Sequence, residues 1–181
     1  MKNFKLWFEN LEKKPSVFLD LDETLVKTRI VSPNEQTTPE DKVFKYDSDS
    51  YATTLRPHTV SFINELKQKA DVYIFTHGKQ KFQEKVIKLH NLSIDKNHIF
   101  GREKYDKIPK FSNFILVDDL ELSTAGAQDK LNALGSFPEY DKENFKYKPI
   151  NNFIKIKPFF GDPNDNELLN VLPKILERLN A

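Results

Sequence analysis

The sequence has no cysteine, which removes disulfides, thiolate catalysis and cysteine-based zinc sites together. Methionine and tryptophan occur once each. Net charge is nearly absent too: 28 Lys and Arg against 27 Asp and Glu leave +1, so no overall field favours nucleic acid as a partner. No stretch reaches the roughly 18 apolar residues of a membrane-spanning helix. The opening MKNFKLWFENLEKK lacks the apolar segment and small-residue cleavage site of a secretory signal. Internal repeats, low-complexity tracts and interdomain linkers are likewise missing. These absences lead us to expect a single domain over residues 1–181 with its core at about 14–180. The same absences make us expect a cytoplasmic protein (nuclear in a eukaryote) that is monomeric and off the membrane.

What is present is a charged, soluble-type composition with 15 Phe, which leads us to expect an aromatic core. Phe4, Trp7, Phe8 and Leu11 recur at helical spacing and predict a short amphipathic helix. Val17-Phe18-Leu19, Asp71 to Thr76, Ile99-Phe100, Phe114 to Val117 and Phe153 to Ile156 read as strands. Apolar periodicity after Arg56-Pro57-His58, from about Lys79 to His90, and from Asn166 to Asn180 reads as helix, with Pro173 predicting a kink or break in the last. Between the first strand and Arg56 the chain is polar, with a hairpin predicted from Val43 to Tyr46 and Tyr51 to Leu55 around Asp-Ser-Asp-Ser. That turn resembles a calcium loop only in its first residues. Alternating strands and helices imply an α/β, Rossmann-like three-layer sandwich with a mainly parallel central sheet. A small β-hairpin insertion follows strand 1, and there is no room for a large cap.

The chemistry concentrates at strand ends. The apolar run in SVFLDLDETLV stops at Asp20, with Asp22 and Thr24 following in alternation. Carboxylates are not tolerated inside a buried strand, so they sit where it emerges, the edge at which open α/β sheets bind ligands. The second strand ends at Thr76 and the third at Asp118-Asp119. Acids converging on one rim repel unless a divalent metal or a phosphate-binding group lies among them. His58, His90 and His98 lack metal-ligand spacing and read as structural; Arg56 fits either a salt bridge or the site.

DLDETLV, LRPH followed by a helix and DVYIFTHG, FILVDD, and the closing PFFGDPNDNELLNVLPKILERL together resemble the haloacid dehalogenase superfamily of phosphotransferases. More narrowly they resemble the FCP/SCP-like (NLI-interacting-factor-like) phosphatases, which dephosphorylate the C-terminal domain of RNA polymerase II and other phosphoproteins. The resemblance implies Asp20 as a nucleophile forming an aspartyl-phosphate and Asp22 as general acid, then base, oriented by Thr24. It implies Thr76, His77 and Gly78 around the phosphoryl group. Mg²⁺ would be held by Asp20, the Asp22 carbonyl and Asp118, with Asp119 as an auxiliary ligand. The family's lysine follows an aromatic residue and one spacer. Tyr105-Asp106-Lys107 fits, so Lys107 is the expected residue, with Lys104 and Lys110 as rivals.

The missing cap implies an open site and a bulky substrate such as a phosphoprotein or phosphopeptide, and the resemblance points to phosphoserine or phosphothreonine. Val43, Phe44, Tyr46 and Tyr51 are candidates to line a groove beside it. A nucleotide, a polynucleotide 3′-end or a small metabolite on the same scaffold is the alternative. The stretch Leu120 to Asn152 is longer than the family's loop, and its STAGAQDKLNALG portion predicts an extra helix ending at Gly135.

Overall fold

The computed structural model describes residues 14–32 and 34–180; the expected helix carrying Phe4, Trp7, Phe8 and Leu11 lies outside them. Five strands form a parallel sheet: β1 (Ser16–Leu19), β5 (Asp71–Phe75), β6 (Ile99–Phe100), β7 (Phe114–Asp118) and β10 (Phe153–Lys155). Their spatial order is β10-β7-β1-β5-β6. β1 lies at the centre and all four of its residues are buried, as expected of a strand covered on both faces.

The period-2 alternation of the strands splits the core into two layers. Val17, Leu19, Val72, Ile74 and Val117 face the helices α1 (Thr59–Lys69), α2 (Gln80–Leu89) and α4 (Glu167–Leu179) in an aliphatic layer. Phe18, Phe75 and Leu116 face α3 (Ala125–Leu134). The expected aromatic packing is concentrated on this second side: Phe18 stacks on Tyr73 at 4.8 Å and meets Phe111 edge-on at 4.8 Å. The larger layer is aliphatic because three helices must interdigitate there, and branched side chains fill such grooves more closely.

Pro173 breaks nothing: α4 runs from Glu167 to Leu179 without interruption. Pro173 is on the solvent side, while Leu168, Val171, Leu172 and Ile175 form the buried face. The carbonyl that loses its partner can therefore be hydrated, and packing of the apolar face outweighs the lost bond.

The insertion after β1 has one strand more than expected. β2 (Val26–Ile30) joins β3 (Asp41–Tyr46) and β4 (Asp49–Leu55) in an antiparallel sheet of order β2-β4-β3. β2 reads as loop because Lys27, Thr28 and Arg29 mask its alternation; five residue pairs with β4 hold it. A further two-stranded hairpin, β8 (Tyr140–Asp141) and β9 (Lys146–Tyr147), lies in the stretch after α3.

His90 closes α2 and pins it to the insertion. Its Nε2 lies 2.8 Å from Thr53 Oγ1, both residues being buried. Burial first, and the Lys42 ammonium second, push its pKa from 6.5 down to about 4. The unfolded chain therefore takes up a proton below pH 6.5 that the native state refuses until about pH 4. Stability falls as pH drops through that window. Urea unfolding at pH 7 and pH 5 should show an acid-induced loss about 2 kcal/mol smaller in His90→Asn than in the wild type; equal losses would show that His90 is not the sensor.

Candidate active site

The register of the sheet places the acids. Leu19 pairs with Val117, so the next residues, Asp20 and Asp118, emerge side by side on neighbouring strands. The Asp20 N–H donates to the Val117 carbonyl at 2.9 Å, which ties the two strand ends together. Thr76 leaves β5 on the other side of β1 and is buried.

Both strand-end carboxylates are almost fully buried, with side-chain exposures of 7% for Asp20 and 0% for Asp118. Lys130 lies between them: its Nζ is 2.5 Å from Asp20 Oδ1 and 2.6 Å from Asp118 Oδ2. Burial works against the Lys130 ammonium, but Asp20 and Asp118 outweigh it and raise its pKa above the ordinary value. Asp20 is pushed the other way for a charged group. Burial, reinforced by Asp118 and opposed by Lys130, raises it from 3.8 to about 8.

Oxygens of Asp20, Asp118 and Asp119 lie within 4.8 Å of one another. Burial and the Asp118 charge raise the Asp119 pKa as well. One ammonium does not balance three crowded carboxylates. An all-oxygen donor set of this charge fits a hard divalent cation such as Mg²⁺.

The loop from Asp20 to Val26 is braced from several directions. Leu25 and Val26 N–H groups both donate to the Leu21 carbonyl. Glu23 adopts the left-handed region at φ 60°, a strained conformation for a residue with a Cβ. Its carbonyl accepts from Phe159 N–H at 2.6 Å and its N–H donates to Val26 O at 2.7 Å. Arg56 is fully buried beneath this loop; it donates to Thr24 O at 2.9 Å and to both oxygens of Asp165 at 2.8 and 2.9 Å. The bidentate pair with Asp165 makes Arg56 a structural brace. The Thr24 hydroxyl is not the donor that holds Asp22. It donates to Asp119 Oδ1 at 3.1 Å. Asp22 is held instead by Thr28 Oγ1 at 2.9 Å and Gln83 Nε2 at 2.6 Å.

Lys107 is not in the site. Tyr105 and Lys107 lie on one 3₁₀ turn, Arg102–Lys107. The turn points Tyr105 inward, with its ring 4.5 Å from Phe75, and leaves Lys107 exposed. The Tyr105 hydroxyl, buried near the Asp20 and Asp118 charges, has its pKa raised. Lys104 and Lys110 are elsewhere too: they donate to the carbonyls of Ile99, and of Asn132 and Ala133. The loop before β7 is too short to bring any of these three ammoniums back to Asp20.

The expected extra helix carries the lysine that contacts Asp20 and Asp118. In α3 the Thr124 side chain caps the Ala127 N–H, and Gly135 at φ 100° terminates the helix, a conformation that favours glycine. Ala127, Lys130, Leu131 and Leu134 form its buried stripe, which puts Lys130 at a core position over the rim. His77 fastens the start of this helix, with Nε2 2.9 Å from the Gly126 carbonyl. That contact ties its ring to the helix that carries Lys130, and the ring also lies 5.4 Å from that of Tyr105. Thr76 Oγ1 accepts from Gly78 N–H at 3.1 Å, so the hydroxyl proton remains for an anion.

Beside Asp22 opens a groove of about 390 Å³, lined in part by Thr28, Tyr46, Tyr51, Lys79 and Phe82. Tyr46 and Tyr51 are there as expected. Phe44 is buried behind them, its ring 5.8 Å from Tyr51, and Val43 points the other way and is exposed. Strand alternation allows only one of two neighbouring residues to face the groove.

A sequence model of the NLI interacting factor-like phosphatases matches residues 15–181. The chain belongs to that family. CTD small phosphatase-like protein 3 of Caenorhabditis elegans is 27% identical over 157 residues, covering 86% of this chain and 51% of that protein. CTD nuclear envelope phosphatase 1B of Danio rerio is 26% identical, covering 92% and 67%. Putative CTD phosphatase-like protein 355R of Invertebrate iridescent virus 6 is 24% identical, covering 91% and 97%. Among solved structures, Fcp1, an essential RNA polymerase II CTD phosphatase, superposes with a TM-score of 0.55 at 14% identity, covering 98% of this chain and 52% of that one. At that identity the likeness concerns the fold, and it agrees with the α/β architecture expected from the sequence. The chain thus spans about half the length of the worm protein and of Fcp1. Among the described residues no helix is long and apolar enough to cross a membrane.

Within this family member, three polar contacts escape sequence reading: Lys130, Thr28 and Gln83. Lys130 did leave a signal. It stands three residues after Ala127 and four before Leu134, a lysine inside an apolar stripe. Gln83 likewise shares a buried helix face with Val86.

Proposed function

We propose that the chain is a Mg²⁺-dependent phosphomonoester hydrolase that works through an aspartyl-phosphate on Asp20 and acts on phosphoserine or phosphothreonine in proteins. The observation that carries this reading is the buried Asp20–Lys130–Asp118 ion cluster at the rim, with Asp22 held two residues on at the mouth of the groove. Asp20, Asp118 and Asp119 would hold the metal, with the Asp22 carbonyl. Its chemistry when bound is to keep Asp20 anionic and to offset the charge of the phosphoryl group.

The rest is done by the chain's own side chains. An Asp20 carboxylate oxygen attacks phosphorus while the bond to the leaving oxygen breaks, and Asp22 gives that oxygen its proton. Water then attacks the acyl-phosphate phosphorus, Asp22 takes its proton, and phosphate leaves with Asp20 regenerated. Lys130 orients Asp20 and offsets charge throughout. The Thr76 hydroxyl would donate to a phosphoryl oxygen.

The insertion is a three-stranded sheet rather than a closing domain, which leaves the groove open at Tyr46, Tyr51 and Phe82. Such a mouth suits a phosphorylated side chain on a longer peptide better than an enclosed metabolite. The relatives' names point the same way. p-Nitrophenyl phosphate and a phosphopeptide panel should be hydrolysed with Mg²⁺, and EDTA should remove at least about 90% of the rate until Mg²⁺ is restored, in line with the several kcal/mol such an ion contributes. Activity indifferent to EDTA would refute the metal assignment. Turnover confined to sugar phosphates or nucleotides would refute the protein substrate.

A further inference from the structure

The Asp22 carboxylate is gripped at both oxygens by uncharged donors from two different elements. Thr28 Oγ1 on β2 donates to Oδ1 at 2.9 Å, and Gln83 Nε2 on α2 donates to Oδ2 at 2.6 Å. Gln83 is only 1% exposed. A glutamine at that depth, with its Oε1 unpartnered among the described residues, costs stability. Leucine or methionine would fill the same space on a helix face that packs Val86 and Ile87.

The surroundings accommodate this side chain specifically. A Cβ at Gly78 would lie 1.9 Å from Gln83 Nε2 and 2.7 Å from Cδ, so the glycine after the strand end makes room for the amide. The first turn of α2 is fixed in turn by Gln80, whose Nε2 donates to the Ile99 carbonyl and whose Oε1 accepts the Gly101 N–H. The helix that carries Gln83 is therefore locked to β6, and the amide meets Asp22 from a rigid base.

We propose that Gln83, together with Thr28, is the positioning pair for Asp22, aiming its carboxyl at the leaving-group oxygen where the groove opens. This rests on the phosphatase reading above, in which Asp22 is the acid. The amide's role is directional. It donates to one oxygen while Thr28 holds the other, so the carboxyl plane is fixed at the boundary between the Asp20 site and the aromatic mouth. A glutamate in place of Gln83 would offer no donor at neutral pH and would repel Asp22.

The test compares leaving groups. p-Nitrophenolate departs with little help from an acid, whereas the alkoxide of a phosphoserine peptide needs the proton. Values of kcat/KM report the step in which the leaving group departs. In Gln83→Met, kcat/KM on the phosphoserine peptide should fall at least about 20-fold, and on p-nitrophenyl phosphate by no more than about 3-fold, a well-placed general acid contributing roughly 10²–10⁴. Thr28→Val, on a half-exposed strand, should show the same bias more weakly and keeps the test open if Gln83→Met folds poorly. Asp22→Asn is the reference and should show the bias most strongly. If Asp22→Asn shows it and both other variants lose the two activities equally, or lose neither, the positioning role is overturned and the phosphatase reading stands. If Asp22→Asn shows no bias, Asp22 is not the acid and the proposal falls with that assignment.

Discussion

Lys130→Met is expected to lower kcat at least about 100-fold, the scale on which a positioned charge-stabilising group counts, whereas Lys107→Ala should leave it within about twofold of wild type because exposed side chains away from the site matter little. Steady-state rates on a phosphopeptide with saturating Mg²⁺ decide this. The reason is electrostatic. Lys130 is the ammonium in contact with both buried carboxylates, and Lys107 is in solvent. Removing one partner of a buried pair strands the other, typically at a cost of about 3–5 kcal/mol. With EDTA present, so that no Mg²⁺ compensates the stranded carboxylates, Lys130→Met should therefore also melt lower, by roughly 2–4 °C for each kcal/mol in a chain of this size. A dead Lys107→Ala beside an active Lys130→Met would overturn the assignment.

Asp20→Asn should abolish turnover and at the same time raise the melting temperature in EDTA. The amide keeps the shape of Asp20 but cannot attack phosphorus, so no phosphorylated enzyme should accumulate where wild type accumulates it during single turnovers. The stability change has a definite sign. The native Asp20 pKa lies near 8, above its ordinary 3.8, so the folded protein holds a proton that the unfolded chain releases. Wild-type stability from this group is therefore lost as pH rises between those values. Asparagine carries no such penalty at neutral pH, so the gain over wild type should grow from pH 5 to pH 8. Residual activity near wild type would refute Asp20 as nucleophile; a melting temperature lower than wild type throughout would refute the crowding of charge.

The two predictions divide along the line between what was and was not legible. Asp20, Thr76 and Asp118 stand where an apolar strand run ends, with Asp22 and Asp119 just beyond, and that position is what marks them as candidates in the sequence. A strand that must be buried pushes its first polar residue to the rim, and the parallel sheet collects the rims. The extra helix ending at Gly135 was legible through its cap residues. Lys107 satisfies the spacing after Tyr105, but spacing along the chain does not fix a position in space. On the 3₁₀ turn Arg102–Lys107, two residues of separation turn the side chain away from Tyr105, and the ring enters instead of the ammonium. The resemblance implies Thr24 as the residue that orients Asp22, but Glu23 between them has a positive φ, and the Thr24 hydroxyl reaches Asp119. β2 was hidden by its charged residues, and Pro173 suggested a break that helix packing overrides.

By itself the sequence determined the chemical inventory at the sheet edge, because hydrophobic burial admits few arrangements of those runs. It also determined the parallel α/β order and the absence of thiol chemistry. The tertiary structure alone decided which cation neutralises Asp20 and which donors hold Asp22. Lys130 and Asp20 are 110 residues apart, and Gln83 and Asp22 are 61 apart. Contacts at such separations depend on how helices dock against the sheet, and the 3.6-residue period of a helix says which residues share a face without saying what that face will meet.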